Sequence, residues 1–101
     1  MKLENLGKMM VTASMANVIE SSEQFNDFIS GCLSRYLKED WGDLDQEDKD
    51  TNDEAVKDGE RILAAYNIPE NIELEEDCDR KIWIITEWNR SVTTILFPSE
   101  Y

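Results

Sequence analysis

The sixteen residues from Lys81 to Leu96, KIWIITEWNRSVTTIL, constrain the fold more than any other stretch of the chain. β-Branched and aromatic residues run almost unbroken through them. Side chains alternate across a strand, so Ile82, Ile84 and Thr86 share one face and Trp83, Ile85 and Glu87 the other. Both faces are largely apolar, which predicts a central strand covered on both sides. Trp88-Asn89-Arg90-Ser91 interrupts the run with turn-compatible residues. Val92 to Phe97 resumes it, and Pro98 ends it by removing a ladder donor. The expected unit is an antiparallel hairpin on which the rest of the chain packs.

At 101 residues the chain makes one domain, residues 1–101. Its 41% hydrophobic content is enough for one core without disulfide or metal staples. No apolar run reaches the ~20 residues of a membrane span, and Met1-Lys2-Leu3-Glu4-Asn5 does not open a secretory signal. Cys32 and Cys78 lie far apart with no CxxC spacing, so free thiols in a reducing cytoplasm are expected.

Ahead of the hairpin the pattern is legible in pieces. Leu6 to Thr12 predicts a short first strand. Ser14 is placed to cap a brief helix carrying Met15, Val18 and Ile19. Ser21 with Gln24 three residues on has capping-box spacing. Behind it Phe25, Phe28, Ile29, Cys32, Leu33, Tyr36 and Leu37 recur at helical spacing and form one apolar stripe, a core-facing helix. Asp40 to Leu44 reads as a corner, with Trp41 and Leu44 tucked in and Gly42 allowing the turn. Asp45 is a candidate N-cap, and Glu47 and Asp48 sit in the first turn, where the helix dipole favours anions. That helix should run to Asp58-Gly59 with only Ala55, Val56 and Ile62 to anchor it. Arg61 to Asn67 fits a strand or a helix; Gly59 as a stop favours the strand. Pro69 to Asp79 holds six acids and little periodicity, the mark of an exposed, mobile connection. The expected fold is α+β: an antiparallel sheet of three or four strands with two main helices packed on it.

Chemistry-bearing motifs are scarce. The chain has no histidine, which removes Ser-His and Cys-His dyads and the commonest zinc ligand. Neither GxxxxGK nor GxGxxG occurs. Asp43-x-Asp45-x-Glu47 with Glu54 echoes a calcium loop, but Asp48 stands where the sharp bend needs glycine, and an acidic helix start accounts for the same residues. No catalytic activity, cofactor or metal is therefore expected.

The charge is the unusual quantity: 23 acids against 10 bases, a net charge of -13. A field of this sign repels nucleic acid and anionic membrane and attracts basic partners. Eleven of the acids lie between Glu39 and Glu60, with Lys38, Lys49 and Lys57 opposing them. Carboxylates three and four residues apart on a helix sit about 5–6 Å apart at Cβ, so Asp43 or Asp50, Asp53 or Glu54, and Glu47 or Asp58 can approximate a row of backbone phosphates, and with Asp45 and Asp48 they are the candidate contacting face. Like-charge repulsion makes such a row costly, which points to a use beyond hydration. Glu75 and Glu76, in the acidic connection, are a second candidate face.

The pattern DWGDL-x-x-EDK at Asp40 to Lys49, GERILAAY at Gly59 to Tyr66 and KIWIITEWNRSVTTILFPSEY at Lys81 to Tyr101 resembles a family of small proteins of bacterial plasmids and other mobile elements, usually labelled "plasmid-related protein". The resemblance is good from Asp40 onward and loose before it. The chain departs from the family in its longer connection, Pro69 to Asp79. Size, charge and mobile-element association also look like type II anti-CRISPR proteins, which bind Cas9. By that analogy of class the expected function is non-enzymatic: inhibition of a guided defence nuclease, with Cas9 the leading candidate, by an acidic surface that imitates nucleic acid. Cas9 holds its guide-target duplex in a positive channel, which an acidic protein can occupy. Two alternatives stand beside it. One is a regulatory or antitoxin-like protein that neutralises a basic partner. The other is a nuclease using clustered carboxylates and a divalent metal.

Overall fold

The computed structural model describes residues 1–101. A 3-10 turn at Leu3–Leu6 leads into β1 (Lys8–Val11), followed by α1 (Ala13–Ser21), α2 (Glu23–Leu37), α3 (Gln46–Asp58), β2 (Ile62–Asn67), β3 (Lys81–Thr86) and β4 (Val92–Leu96). The four strands form one sheet in the order β1-β4-β3-β2. The β3–β4 hairpin is present and β3 is central, with Ile84 opposite Ile95 and Thr86 opposite Thr93. Residues 62–67 are a strand, antiparallel to β3.

The α+β class therefore holds, but the sheet is mixed: β1 runs parallel to β4. Three helices and two strands separate β1 from β4 in the chain, and a parallel pair needs such a long connection. Alternation in a sequence marks a strand but carries no information on its direction. Helix starts are displaced as well. Thr12, not Ser14, caps α1 and accepts from Met15 N at 3.3 Å. Ser22, not Ser21, caps α2 and accepts from Phe25 N at 3.1 Å. Ser21 instead ends α1, where its hydroxyl donates to Val18 O.

The core lies between the helices and one face of the sheet. Phe25, Ile29, Cys32 and Tyr36 of α2 and Met15 of α1 meet Ile62, Ala64, Tyr66, Ile82, Ile84 and Ile95. Phe25 stacks on Phe97 just past β4, with ring centroids 6.2 Å apart. Two threonines sit in this apolar layer, and hydrogen bonding explains why they are tolerated. Thr93 Oγ1 donates to Leu6 O at 2.7 Å. Its proton is then spent, so Thr86 donates to Thr93 (2.8 Å) and Tyr36 to Thr86 (2.7 Å). Every buried side-chain polar atom is satisfied in this way. On the opposite face Ile85 and Leu96 are buried. Tyr101 returns from the C-terminal turn to stand edge-on to Trp83, 5.5 Å between centroids.

The acidic connection is better anchored than its composition implies. Ile72 enters the core, and the Arg80 guanidinium donates to the carbonyls of Ile72 and Pro69. Its carboxylates Glu70, Glu73, Glu75, Glu76 and Asp77 are exposed. No helix is long and apolar enough to cross a membrane.

Candidate functional site

The acidic segment is built onto the free edge of β2. Trp41 is buried, its ring edge-on to Tyr36 at 5.4 Å. Gly42 turns the chain at φ 79, and a Cβ there would run into Ala65 O and the Tyr66 ring, so only glycine fits. The corner is held by Arg35, whose Nε donates to Asp40 Oδ2 at 2.8 Å. This guanidinium keeps the Asp40 carboxyl below the usual carboxylate range. Residues 41–43 then run beside β2 and hydrogen-bond to it. Ala65 N donates to Trp41 O (3.3 Å), Asp43 N to Ala65 O (2.7 Å) and Asn67 N to Asp43 Oδ2 (2.8 Å).

Helix α3 completes the edge. Asp45 caps it, accepting from Asp48 N at 2.9 Å, and Gly59 closes it in the left-handed conformation. Asn52 and Ala55 are buried toward the sheet. The Asn52 amide donates to Leu63 O (2.9 Å) and accepts from Leu63 N (3.3 Å). The hairpin loop reinforces the far end: Arg90 donates to Ala55 O (2.8 Å) and Glu60 O (2.6 Å), past the last turn of α3.

This geometry sorts the candidate acids. Asp43 and Asp45 are spent on backbone N–H groups, and Asp53 accepts from Trp41 Nε1 at 2.8 Å. These three hold the segment together. Asp48 stands in the first turn on the flank nearer the sheet. Glu47, Asp50, Glu54 and Asp58 follow one another at i, i+3, i+7 and i+11. At 3.6 residues per turn they fall within about 80° of arc, roughly opposite Asn52 and about 100° round from Ala55, along about 16 Å of helix. All four are exposed. Their one internal partner is Gln46, which donates to Asp50 at 2.8 Å. The three ion pairs of the protein join Glu39 to the terminal amine, Asp40 to Arg35 and Glu87 to Arg61, so none neutralises an α3 carboxylate. The result is a line of four anions, none of them in an ion pair, on a helix tied to β2 at its middle by Asn52 and to the hairpin loop at its C-terminal end by Arg90.

Glu75 and Glu76 do not join that line. Glu75 lines a groove of about 760 Å³ between α1, the connection and the C-terminal turn, and no α3 residue borders it. The calcium-loop echo does not form a loop: Asp45 is a cap and Glu47 is already helical. No three histidine, cysteine or carboxylate side chains converge closely enough to hold a metal ion. Cys32 is buried and Cys78 half-buried, both as free thiols. Burial pushes the Cys32 thiol up to about 12.

Asn52 is the residue that sequence reasoning missed. It lies three positions before Ala55 on the same helical face, so the signal was an amide in register with an apolar anchor. No family model, no curated protein and no solved structure matches this chain.

Proposed function

We propose that this protein is a non-enzymatic inhibitor that binds a basic nucleic-acid-binding protein of the bacterial host cell through the outward stripe of α3. The observation that carries the proposal is the line Glu47, Asp50, Glu54 and Asp58, exposed and without a paired cation. Four carboxylates along one side of a helix repel one another. The stripe is free to spend that unfavourable energy on a cationic partner, where each anion meets an ammonium or guanidinium instead of another carboxylate. Anchoring by Asn52 and Arg90 removes much of the ordering cost that a flexible acidic tail would incur on binding. The field of a chain at -13 speeds encounter, and added salt weakens it.

The resemblance to mobile-element proteins and anti-CRISPR proteins supports a guided defence nuclease as the target, with Cas9 first among them. Its positive channel for the guide-target duplex is the kind of surface such a stripe fits. The decisive experiment is cleavage of target DNA by Cas9 with the protein added before or after guide loading. Inhibition only when it is added first places the stripe in competition with the guide; inhibition in either order places it in competition with DNA. No inhibition and no binding to Cas9 overturns this target. Full inhibition by a folded variant with all four stripe acids changed to lysine overturns the assigned face.

A further inference from the structure

The two edges of the sheet are treated differently. At β2 the outward N–H groups of Leu63, Ala65 and Asn67 are all taken by Asn52, Trp41 and Asp43. At β1 nothing comparable occurs. Lys8 N donates to Ser91 O and Thr12 N to Ile95 O, so these residues bond toward β4. Alternation then turns the N–H and C=O of Met9 and Val11 to the open side. The side chains along this edge are apolar and uncovered: Met9, Met10 and Val11 are 37%, 43% and 41% exposed. They are three of the six large hydrophobic residues exposed anywhere in the protein. Natural sheets guard an exposed edge with charge, proline or a bulge. Here Lys8 is the only charge on the strand.

We propose that the open edge of β1 pairs antiparallel with β1 of a second copy of this chain, centred on Met10, and doubles the four-stranded sheet. In that register Met9 faces Val11 of the second copy. Both residues present their N–H and C=O to the edge, so the pairs on the two sides of the axis exchange four hydrogen bonds. Met10 meets its own counterpart on the two-fold axis. Lys8 falls opposite Thr12 of the second copy, on the same sheet face. The Thr12 hydroxyl donates to Glu100 Oε1 at 2.8 Å, so each lysine meets a carboxylate already held in place. The charge distribution favours the same edge. No acid occurs from Asn5 to Ile19, in a chain with 23 of them, so this is where two copies approach with least repulsion. The acidic α3 helices then stand at the two outer edges of the joined sheet.

Light scattering or sedimentation should give twice the 11.7 kDa of one chain, more fully at high salt, where repulsion between the copies is screened. Met10→Lys sets two ammonium groups on the axis and should weaken dimerisation about tenfold or more. Val11→Pro deletes a donor that points away from β4 and should act in the same direction. Circular dichroism and the unfolding midpoint show that each variant is folded; Met10 is exposed, so that variant at least should be. Oxidation reads the register. In a Cys78→Ser background, Met10→Cys should cross-link the two copies, because Cα atoms of an axial non-hydrogen-bonded pair lie about 4.5 Å apart, within disulfide reach. Met9→Cys, displaced from its counterpart, should not. A chain that stays monomeric at roughly 100 μM in high salt overturns the proposal, as it would if the edge instead takes a strand of a different protein. So does a dimer that Met10→Lys leaves intact, or one in which Met9→Cys cross-links and Met10→Cys does not.

Discussion

The side-chain amide of Asn52 hydrogen-bonds to both the C=O and the N–H of Leu63, at 2.9 and 3.3 Å. A single side chain thus does for the β2 edge what a neighbouring strand would do, and it ties the acidic helix to the sheet. Replacing it with leucine leaves two backbone groups without partners. Each such loss costs roughly 1–3 kcal/mol. Asn52→Leu should therefore lower stability by about 2–4 kcal/mol in urea unfolding and drop the thermal midpoint by roughly 10 °C or more. A loss under about 0.5 kcal/mol would mean that water replaces the amide without penalty.

Charge reversal separates the acids that build the segment from those it displays. Changing Glu47, Asp50, Glu54 and Asp58 to lysine adds two charges at each position and takes the net charge from -13 to -5. Only the Gln46–Asp50 bond is lost. The dipole disfavours a lysine in the first turn and favours one in the last, so these effects largely cancel. Stability should stay within about 1 kcal/mol of the parent, while binding to the proposed cationic target should be lost. Asp53→Lys should instead destabilise by about 1–2 kcal/mol, because it breaks the bond from Trp41. Equal stability changes in the two variants would erase the distinction.

The hydroxyl chain beneath the sheet has a direction, and the direction ranks its members. Thr93→Val strips Leu6 O of its donor and Thr86 of its acceptor, so it should cost about 2–3 kcal/mol. Tyr36→Phe removes only the first donor and leaves Thr86 free to donate onward, so about 1 kcal/mol is expected. Chemical denaturation of the two variants tests this order, and the reverse order would contradict the assigned proton positions.

Stability should fall in alkali. Burial pushes the Tyr36 phenol from 10.0 up to about 12 and the Cys32 thiol from 9.0 up to about 12; Tyr66 is raised in the same way. A raised folded-state value means that the native protein holds its proton over a window in which the unfolded chain has released it. The stabilisation is complete below about pH 9 and is lost as pH rises toward 12, by several kcal/mol in total. Urea midpoints measured from pH 9 to 12 should decline steadily. Cys32 should also resist thiol reagents until the protein unfolds. Flat stability across that window would show that these groups ionise without disturbing the core.

Local patterns in the chain were sufficient for the central hairpin, the α2 stripe from Phe25 to Leu37, the Asp45 cap and the Gly59 stop. Each depends on periodicity or on a side chain reaching its own backbone, and both are written in neighbouring residues. The Ser21 and Ser14 caps were misplaced by one and two positions because serines and threonines crowd those boundaries, and only the packed helix decides which hydroxyl it uses.

Tertiary structure alone decided the rest. The direction of β1 is defined by its parallel pairing with β4, more than eighty residues on, a relation no local pattern contains. Asp43, Asp45 and Asp53 look like Glu47, Glu54 and Asp58 in composition, yet their oxygens are claimed by Asn67 N, Asp48 N and Trp41 Nε1. Sequence therefore set how much negative charge the segment carries and that much of it lies on a helix. The fold set which carboxylates are displayed, because Asp43, Asp45 and Asp53 are held by backbone N–H groups or by the buried Trp41 indole, while Glu47, Asp50, Glu54 and Asp58 line the exposed side of the helix.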